Sequence, residues 1–324
     1  MDAPQENSLQ SQTVDAPSSS IGAQPILFAP QGLRAGWRLL IYGCLYYALR
    51  TIFFLITGLL FTGPRGQMPP LWGFLVSECS LAAIALLPAV LLSRLERRAF
   101  GDYGLPARKA FTKNFWVGAA WGFVAVTGLI LSIDGLGALS FGGLALHGIR
   151  VMKFAAFWAV FFLVVALYEE FFARGYTQFT LGQGIGFWPA AVLLSAGFGA
   201  IHLNNPGEGW PGALGAACIG LFFAFTLRRT GTLWFAMGMH MSWDWSETYF
   251  YSVPDSGLVL PGHLLNASLH GPRWLTGGSV GPEGSVLLFV LIAAMWVVFD
   301  RFYRPVLAVP QTTNAVENSG VQHS

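Results

Sequence analysis

The chain alternates between long apolar stretches and short polar ones. Eight stretches are apolar over about 20 residues, the length of helix that crosses the hydrocarbon core of a bilayer. They are residues 37–62, 71–93, 115–134, 152–179, 187–204, 211–227, 231–251 and 285–303. The pattern predicts an all-α polytopic membrane protein with about eight transmembrane helices. The middle four stretches are interrupted by glycines and polar side chains, which favours functional groups there.

The composition agrees with a membrane protein. Hydrophobic residues make up 54% of the chain and charged residues only 10%, whereas a soluble domain carries about 25% charged residues. The net charge of +2 is too small to indicate a nucleic-acid partner. Cys44, Cys79 and Cys218 lie in apolar stretches without metal-type spacing, so they are interpreted as packed core residues.

The two ends of the chain are polar. Residues 1–24 are rich in Ser, Gln and Pro and have neither the basic nor the apolar region of a signal peptide. This composition predicts a disordered cytoplasmic tail, and residues 311–324 are expected to be disordered in the same way. Residues 25–310 are then the predicted transmembrane domain.

The distribution of basic residues predicts the orientation, because cytoplasmic loops carry an excess of Lys and Arg. The loop 94–113 is the most basic in the chain. Placing it in the cytoplasm puts twelve of the 18 Lys and Arg residues there and four on the other side, while Arg50 and Arg174 lie within apolar stretches. Both termini are therefore predicted to be cytoplasmic.

Charged side chains inside the apolar stretches indicate function, because charge at membrane depth is costly. Glu169, Glu170 and Arg174 occur together in the stretch 152–179. On a helix, Glu170 and Arg174 are i, i+4 neighbours that can pair, whereas Glu169 points roughly 100° away. We expect Glu170 to be structural and Glu169 to face a cavity.

A second pair of buried charges has a structural interpretation. Arg50 and Glu78 lie in the first two stretches, which run in opposite directions. At about 1.5 Å per residue they reach a similar depth. We expect them to form an ion pair.

Two histidines add to the polar groups of the middle stretches. Phe198 and His202 are spaced i, i+4 near the end of 187–204, and His240, Asp244 and Glu247 fall on one helical stripe of 231–251. With straight helices His202 comes out too near the outer side to meet Glu169. The stretch 187–204 is therefore expected to start deep, tilt or break near 197–199.

These groups suit hydrolysis. A carboxylate and an imidazole can hold a water and take its proton, and a second histidine can stabilise the resulting oxyanion. The same donors could instead bind zinc. The HExxH and GxSxG patterns of other hydrolases do not occur in this sequence.

The charged and histidine residues form three motifs in order along the chain: Glu169-Glu170-x-x-x-Arg174, Phe198-x-x-x-His202 and His240-x-x-x-Asp244. Together these motifs resemble those of the CPBP family of intramembrane proteases. That family includes CAAX prenyl endopeptidases and bacterial proteins linked to bacteriocin self-immunity. The resemblance covers roughly residues 70–305. It implies a membrane-associated protein or peptide as substrate and a location in the bacterial inner membrane.

Carried over by motif, the resemblance implies Glu169 and His202 as the water-activating pair. It implies His240 and Asp244 as the oxyanion site and Glu170 with Arg174 as the supporting pair. No cofactor is required by this assignment, and zinc held by His202, His240 and Glu169 is the alternative. The residue at 244 is commonly Asn in prenyl-processing members, and an ionised Asp244 would repel an oxyanion. Asp244 would then be protonated, orient His240 or help to bind a metal.

Two other classes of function stay open. Buried Glu, Arg, His and Asp also mark ion paths, so a transporter or proton relay is one alternative. Against it, the two halves of the chain lack matching broken helices. The small-residue runs 197–199 and 212–215 would suit a catalytically silent scaffold that binds a partner's transmembrane helix.

The orientation can be tested in intact cells with a membrane-impermeant thiol reagent. In a variant with Cys44, Cys79 and Cys218 replaced by Ala, a cysteine introduced at Arg97 should be protected, and one introduced within 252–284 should react. External labelling at position 97 would contradict the predicted topology.

Overall fold

A computed structural model describes residues 28–29, 32–60, 70–205 and 207–303 of the chain. The predicted disordered tails at 1–24 and 311–324 lie outside the described residues. Within them the architecture is all-α, as predicted. The helices are α1 Ala35–Leu60, α2 Leu71–Leu95, α3 Lys113–Gly135, α4 Ile149–Arg174, α5 Tyr176–Ile185, α6 Phe187–His202, α7 Trp210–Thr230, α8 Trp234–Trp245, α9 Arg273–Thr276 and α10 Val286–Phe302.

Short strands and turns join these helices. Strands β1 Phe28–Ala29 and β2 Gly32–Leu33 form one antiparallel pair, and β3 Leu139–Leu144 and β4 Leu265–Leu269 form another. The second pair joins the loop after α3 to the long segment after α8. A π-helical turn, Ser246–Tyr251, continues α8, and 3-10 turns cover Phe100–Tyr103, Ala107–Lys109 and Pro282–Gly284.

Each predicted apolar stretch coincides with helical structure, and five helical segments are long and apolar enough to cross a membrane. They are Ala35–Leu59, Leu71–Leu95, Lys113–Gly135, Ile149–Ile185 and Trp210–Thr230. The protein is therefore described as a polytopic, all-α membrane protein. The number of eight spans stays a prediction, because α6, α8 and α10 are shorter than 18 residues.

The predicted stretch 152–179 is not one continuous helix. Helix α4 ends at Arg174 and α5 begins at Tyr176, with Gly175 between them. A Cβ at Gly175 would lie 2.4 Å from the carbonyl oxygen of Phe171, so the break needs glycine. The break follows directly after the Glu-Glu-Arg motif and turns the chain away from it.

Glycines bring α3 and α8 into backbone contact. A Cβ at Gly118 would lie 2.1 Å from the carbonyl oxygen of Phe235, and one at Gly238 would lie 2.1 Å from that of Phe115. Small residues allow such close approach of membrane helices. Because α8 carries His240 and also packs against α4, this contact positions one half of the site against the other.

Helix α6 ends at His202, which lines the same cavity as Glu169. It is unbroken from Phe187 to His202, so of the three alternatives for this stretch a break near 197–199 does not occur. Its 16 residues rise about 24 Å, less than the roughly 30 Å of a hydrocarbon core. Helix α6 packs closely on α7 at Gly199, because a Cβ added to Gly199 would lie 2.3 Å from the carbonyl oxygen of Ala213.

The expected ion pair between Arg50 and Glu78 is wrong. The Arg50 guanidinium lies 4.9 Å from the ring centre of Phe54 on its own helix. No ion pair joins Arg50 to Glu78 among the described residues. Glu78 instead lines a cavity together with Glu169. Similar depth on neighbouring helices did not determine the direction in which each side chain points.

Two glycines of α3 offer a matched test of this packing. At Gly122 a Cβ would lie 2.3 Å from the carbonyl oxygen of Met239, whereas at Gly128 it would meet nothing within 4 Å. We expect Gly122→Ala to destabilise the protein by about 1–3 kcal/mol. Gly128→Ala should be neutral or slightly stabilising, since Ala is the better helix former. Thermal unfolding of the two purified variants in detergent would measure both, and equal melting temperatures would contradict the packing described here.

Candidate active site

A buried row of three charged or titratable side chains forms the centre of the site. Arg174 Nη1 donates to Glu170 Oε1 at 3.0 Å, and the exposed fractions of the two side chains are 1% and 0%. His240 Nδ1 lies 3.0 Å from the same oxygen. Because a carboxylate paired with arginine can only accept, Nδ1 of His240 must carry its proton. The predicted Glu170–Arg174 pair is therefore present, and it also fixes the ring of His240.

The surroundings of Arg174 are shaped for a guanidinium. A Cβ at Gly220 would lie 2.0 Å from Nη2 of Arg174, so only glycine leaves room for it. The guanidinium carbon lies 4.3 Å from the ring centre of Phe198 and 5.8 Å from that of Phe223. Aromatic faces attract a cation, most strongly where water is excluded. This contact gives Phe198 of the second motif a structural role.

The other nitrogen of His240 faces two more carboxylates. Nε2 lies 3.4 Å from Asp244 Oδ2 and 3.8 Å from Glu169 Oε2. The Glu169 side chain is 26% exposed, in contrast to the fully buried Glu170. Although they are adjacent in sequence, Glu170 points into the protein interior and Glu169 points into more open space.

His202 is the last residue of α6 and is held by its own helix. Its Nδ1 lies 2.7 Å from the carbonyl oxygen of Phe198, and its ring lies 4.5 Å from the Phe198 ring. Since a carbonyl can only accept, Nδ1 donates and Nε2 is left as the basic nitrogen of the neutral ring. That nitrogen can accept a proton or a hydrogen bond from water.

A cavity of about 440 Å³ brings the predicted residues together. Glu169, His202, His240 and Asp244 all line it. Much of the remaining wall is apolar: Phe74, Phe161, Phe162, Val165, Ile219 and Phe223. The cavity is therefore large enough for water and part of a peptide, with polar groups concentrated around His240 and His202.

Sequence reasoning missed several polar residues of this cavity. They are Glu78, Asn205, Glu208, Asp255, Ser256 and Glu283. For Glu78 the sequence predicts a buried charge, but with Arg50 as its neighbour rather than this cavity. The others lie outside the predicted motifs, and no spacing in the sequence connects them with Glu169. Glu208, in the loop after α6, has its pKa raised chiefly by burial, while the hydrogen bond from the Gly209 N–H opposes this shift.

Glu247 is not among the residues that line the cavity with His240 and Asp244. It lies in the π-helical turn after α8. It is fully buried and clusters with Asp255 and Glu283, with the carboxylate oxygens of the three within 4.8 Å of one another. Asp244 lies near this acidic group as well as near His240.

The predicted zinc ligands have suitable donor types but do not converge here. In the described part of the chain, only Glu247, Asp255 and Glu283 bring three potential ligand atoms within 4.8 Å of one another. His202, His240 and Glu169 do not form such a group. Metal dependence therefore stays a hypothesis for this site.

Comparison with known proteins supports the resemblance seen in the motifs. Residues 151–246 match the family model described as type II CAAX prenyl endopeptidase Rce1-like. The matched segment carries Glu169, Glu170, Arg174, His202 and His240, and it supports a CAAX-type intramembrane endopeptidase. Searches of curated proteins and of solved structures each found no significant match.

The buried pair should be needed for folding. Glu170→Gln or Arg174→Ala leaves one buried charge without its partner, at a cost of about 3–5 kcal/mol. We expect each single variant to give a lower yield of folded protein by size-exclusion chromatography. The double variant should lose less than the sum of the two, because the partners interact directly. Additive losses would contradict a direct pair.

Proposed function

We propose that this chain, which resembles the type II CAAX prenyl endopeptidases over residues 151–246, is an intramembrane endopeptidase. It hydrolyses a peptide bond of a membrane-associated protein or peptide. The observation that carries the proposal is the cavity that Glu169, His202 and His240 line together. Glu170, by contrast, is paired with Arg174. One glutamate is thus free for chemistry.

In the proposed mechanism Glu169 and His202 activate water. The water lies between the Glu169 carboxylate and Nε2 of His202, and one of its protons passes to Glu169 as its oxygen attacks the carbonyl carbon of the substrate. When the tetrahedral intermediate collapses, the C–N bond breaks and Glu169 returns the proton to the departing amine. The free carboxylate of Glu169 is thereby regenerated.

His240 is proposed to stabilise the oxyanion. Its Nδ1–H is committed to Glu170, so it can donate from Nε2 only as an imidazolium. Carboxylates of Glu170, Asp244 and Glu169 lie 3.0, 3.4 and 3.8 Å from its nitrogens and suit a positive ring. A preorganised donor of this kind is typically worth several kcal/mol in the transition state.

Asp244 fits an orienting role better than a direct one. A carboxylate cannot donate to an oxyanion, but Oδ2 lies close to Nε2 of His240 and can hold the ring before substrate binds. This role explains how Asp can stand where prenyl-processing members commonly have Asn. It also leaves hydrolysis by activated water unchanged.

The proposed substrate is a membrane-associated protein or peptide, presented within a bilayer. The aromatic wall formed by Phe161, Phe162 and Phe223 suits an apolar substrate segment. A CAAX-type prenylated terminus is the form that the family match favours, and a role in bacteriocin immunity is the alternative from the same family. In this proposal the protein lies in the bacterial inner membrane with both termini in the cytoplasm. Water enters the site from the cytoplasmic side.

Glu169 should be essential for cleavage but not for folding. We expect Glu169→Gln to abolish hydrolysis of a peptide ending in a prenylated CAAX sequence, while the yield of folded protein stays unchanged. The unprenylated peptide reports whether the lipid is required. The control for loss of a negative charge is Asp102→Asn, because Asp102 is exposed and does not line the cavity. Normal turnover by Glu169→Gln would overturn the mechanism, and a transporter or scaffold would show no cleavage in any variant.

Asp244→Asn separates direct water activation from zinc catalysis. Without a catalytic metal, the variant should keep or increase its activity, because an amide can donate to an oxyanion. With zinc on His202, His240 and Glu169, the change should weaken metal affinity about 10–100-fold if Asp244 supports a ligand. Activity of both proteins after dialysis against a zinc chelator, and after zinc is restored, decides between the two. Stoichiometric zinc and zinc-dependent recovery would contradict the metal-free form.

A further inference from the structure

The acidic group beside the site holds three carboxylates that the proposed catalysis does not use. Glu247 comes from the π-helical turn after α8, Asp255 from the following loop and Glu283 from the 3-10 turn before α10. Glu247 and Asp255 are buried, and Glu283 is half-buried. The end of α8, the loop that follows it and a later turn therefore bring like charges to one point.

Two members of the group have protein partners and one does not. Asp255 Oδ2 accepts from the Thr248 hydroxyl at 2.9 Å, and Glu283 Oε2 accepts from the Ser256 N–H at 2.9 Å and hydroxyl at 2.7 Å. Glu247 is 0% exposed, and neither of its carboxylate oxygens has a hydrogen-bond partner within the described part of the chain. The Trp243 indole N–H lies close to Glu247 but outside hydrogen-bond geometry.

Such an arrangement is unfavourable without a positive charge. A buried carboxylate without a partner costs several kcal/mol, and neighbouring carboxylates raise that cost. The group must therefore either hold protons or hold a cation.

The geometry favours a cation of a particular class. All three ligand atoms lie within 4.8 Å of one another, the largest separation that two ligands about 2.4 Å from one ion can have. The donors are all carboxylate oxygens, which suit hard ions such as Ca²⁺ rather than zinc. Ca²⁺ also accepts irregular geometry and longer bonds, whereas Mg²⁺ requires a tight octahedron.

The loops around the group are held in place before any ion binds. The Gly257 N–H donates to the carbonyl oxygen of Val280 at 2.9 Å. Gly281 has φ +99°, and a Cβ there would lie 2.0 Å from the carbonyl oxygen of Pro254. These contacts fix the segment of Asp255 against that of Glu283, so an ion would enter a formed site.

We propose that Glu247, Asp255 and Glu283 bind one Ca²⁺-class divalent cation that closes the loop end of the cavity. The ion joins the end of α8 to the two loop segments. Because Glu247 follows Asp244 by three residues and Asp255 and Glu283 line the cavity, the ion also offsets negative charge beside His240. Its role is structural and electrostatic, and it does not take part in bond breaking.

The test measures binding of Ca²⁺ to the purified full-length protein in detergent. Equilibrium dialysis with radioactive Ca²⁺ should find one ion per chain, with a Kd of about 10⁻⁴ to 10⁻³ M, as in extracellular calcium sites. Glu247→Gln should weaken binding about tenfold or more, because it removes a charged ligand. Glu78→Gln, a cavity carboxylate outside the group, should bind as the wild type does.

Melting temperatures measured with and without Ca²⁺ give a second test, which also applies to a variant of low stability. In chelator, Glu247→Gln should be at least as stable as the wild type, since it relieves repulsion between carboxylates. With millimolar Ca²⁺ the wild type should gain the higher melting temperature, because only it binds the ion. Absence of Ca²⁺ binding by the wild type, equal binding by Glu247→Gln, or stabilisation by zinc but not Ca²⁺ would overturn the proposal.

Discussion

The site depends on one carboxylate that is held from two sides. Glu170 Oε1 accepts from both Arg174 and His240, with 3.0 Å to each nitrogen. This bond commits Nδ1 of His240 as a donor and turns Nε2 toward Glu169 and Asp244. It also removes Glu170 from chemistry, so that the adjacent Glu169 is left facing the cavity. A membrane interior makes such pairing necessary, since an unpaired charge there is costly.

Packing around this interaction requires small residues at a few points. Gly220 leaves space for the guanidinium of Arg174, and Gly175 allows the chain to turn directly after the motif. Gly118 and Gly238 let α3 and α8 touch through their backbones, which fixes the helix of His240 against α3. The polar site is therefore maintained by close helix contacts rather than by a polar core.

Local periodicity was sufficient to predict the helices and the Glu170–Arg174 pair. Those features depend on residues three or four apart, where the helix itself determines the neighbours. The bond from His240 to Glu170 joins residues 70 positions apart, and nothing in the sequence encodes their register. The grouping of Glu247 with Asp255 and Glu283 likewise joins separate segments of the chain. Arg50 does not meet Glu78 because similar depth does not determine the direction of a side chain.

The acidic group changes how metal effects on this protein should be interpreted. A chelator could lower activity by removing a loop-bound Ca²⁺-class ion, without any catalytic zinc. The proposed site is distinct from His202 and His240, and its ligands can be altered separately. Chelator sensitivity that disappears in Glu247→Gln would thus be structural in origin, whereas sensitivity that persists would concern the catalytic residues.

The most direct measurement of the central claim is the protonation of His240 by ¹⁵N NMR of histidine-labelled protein. The His240 signals can be assigned by their loss in His240→Gln. The account predicts a proton on Nδ1 in the wild type and in Glu169→Gln, and loss of this preference in Glu170→Ala. A neutral ring protonated only at Nε2 in the wild type would contradict the account, because Glu170 would then not hold His240.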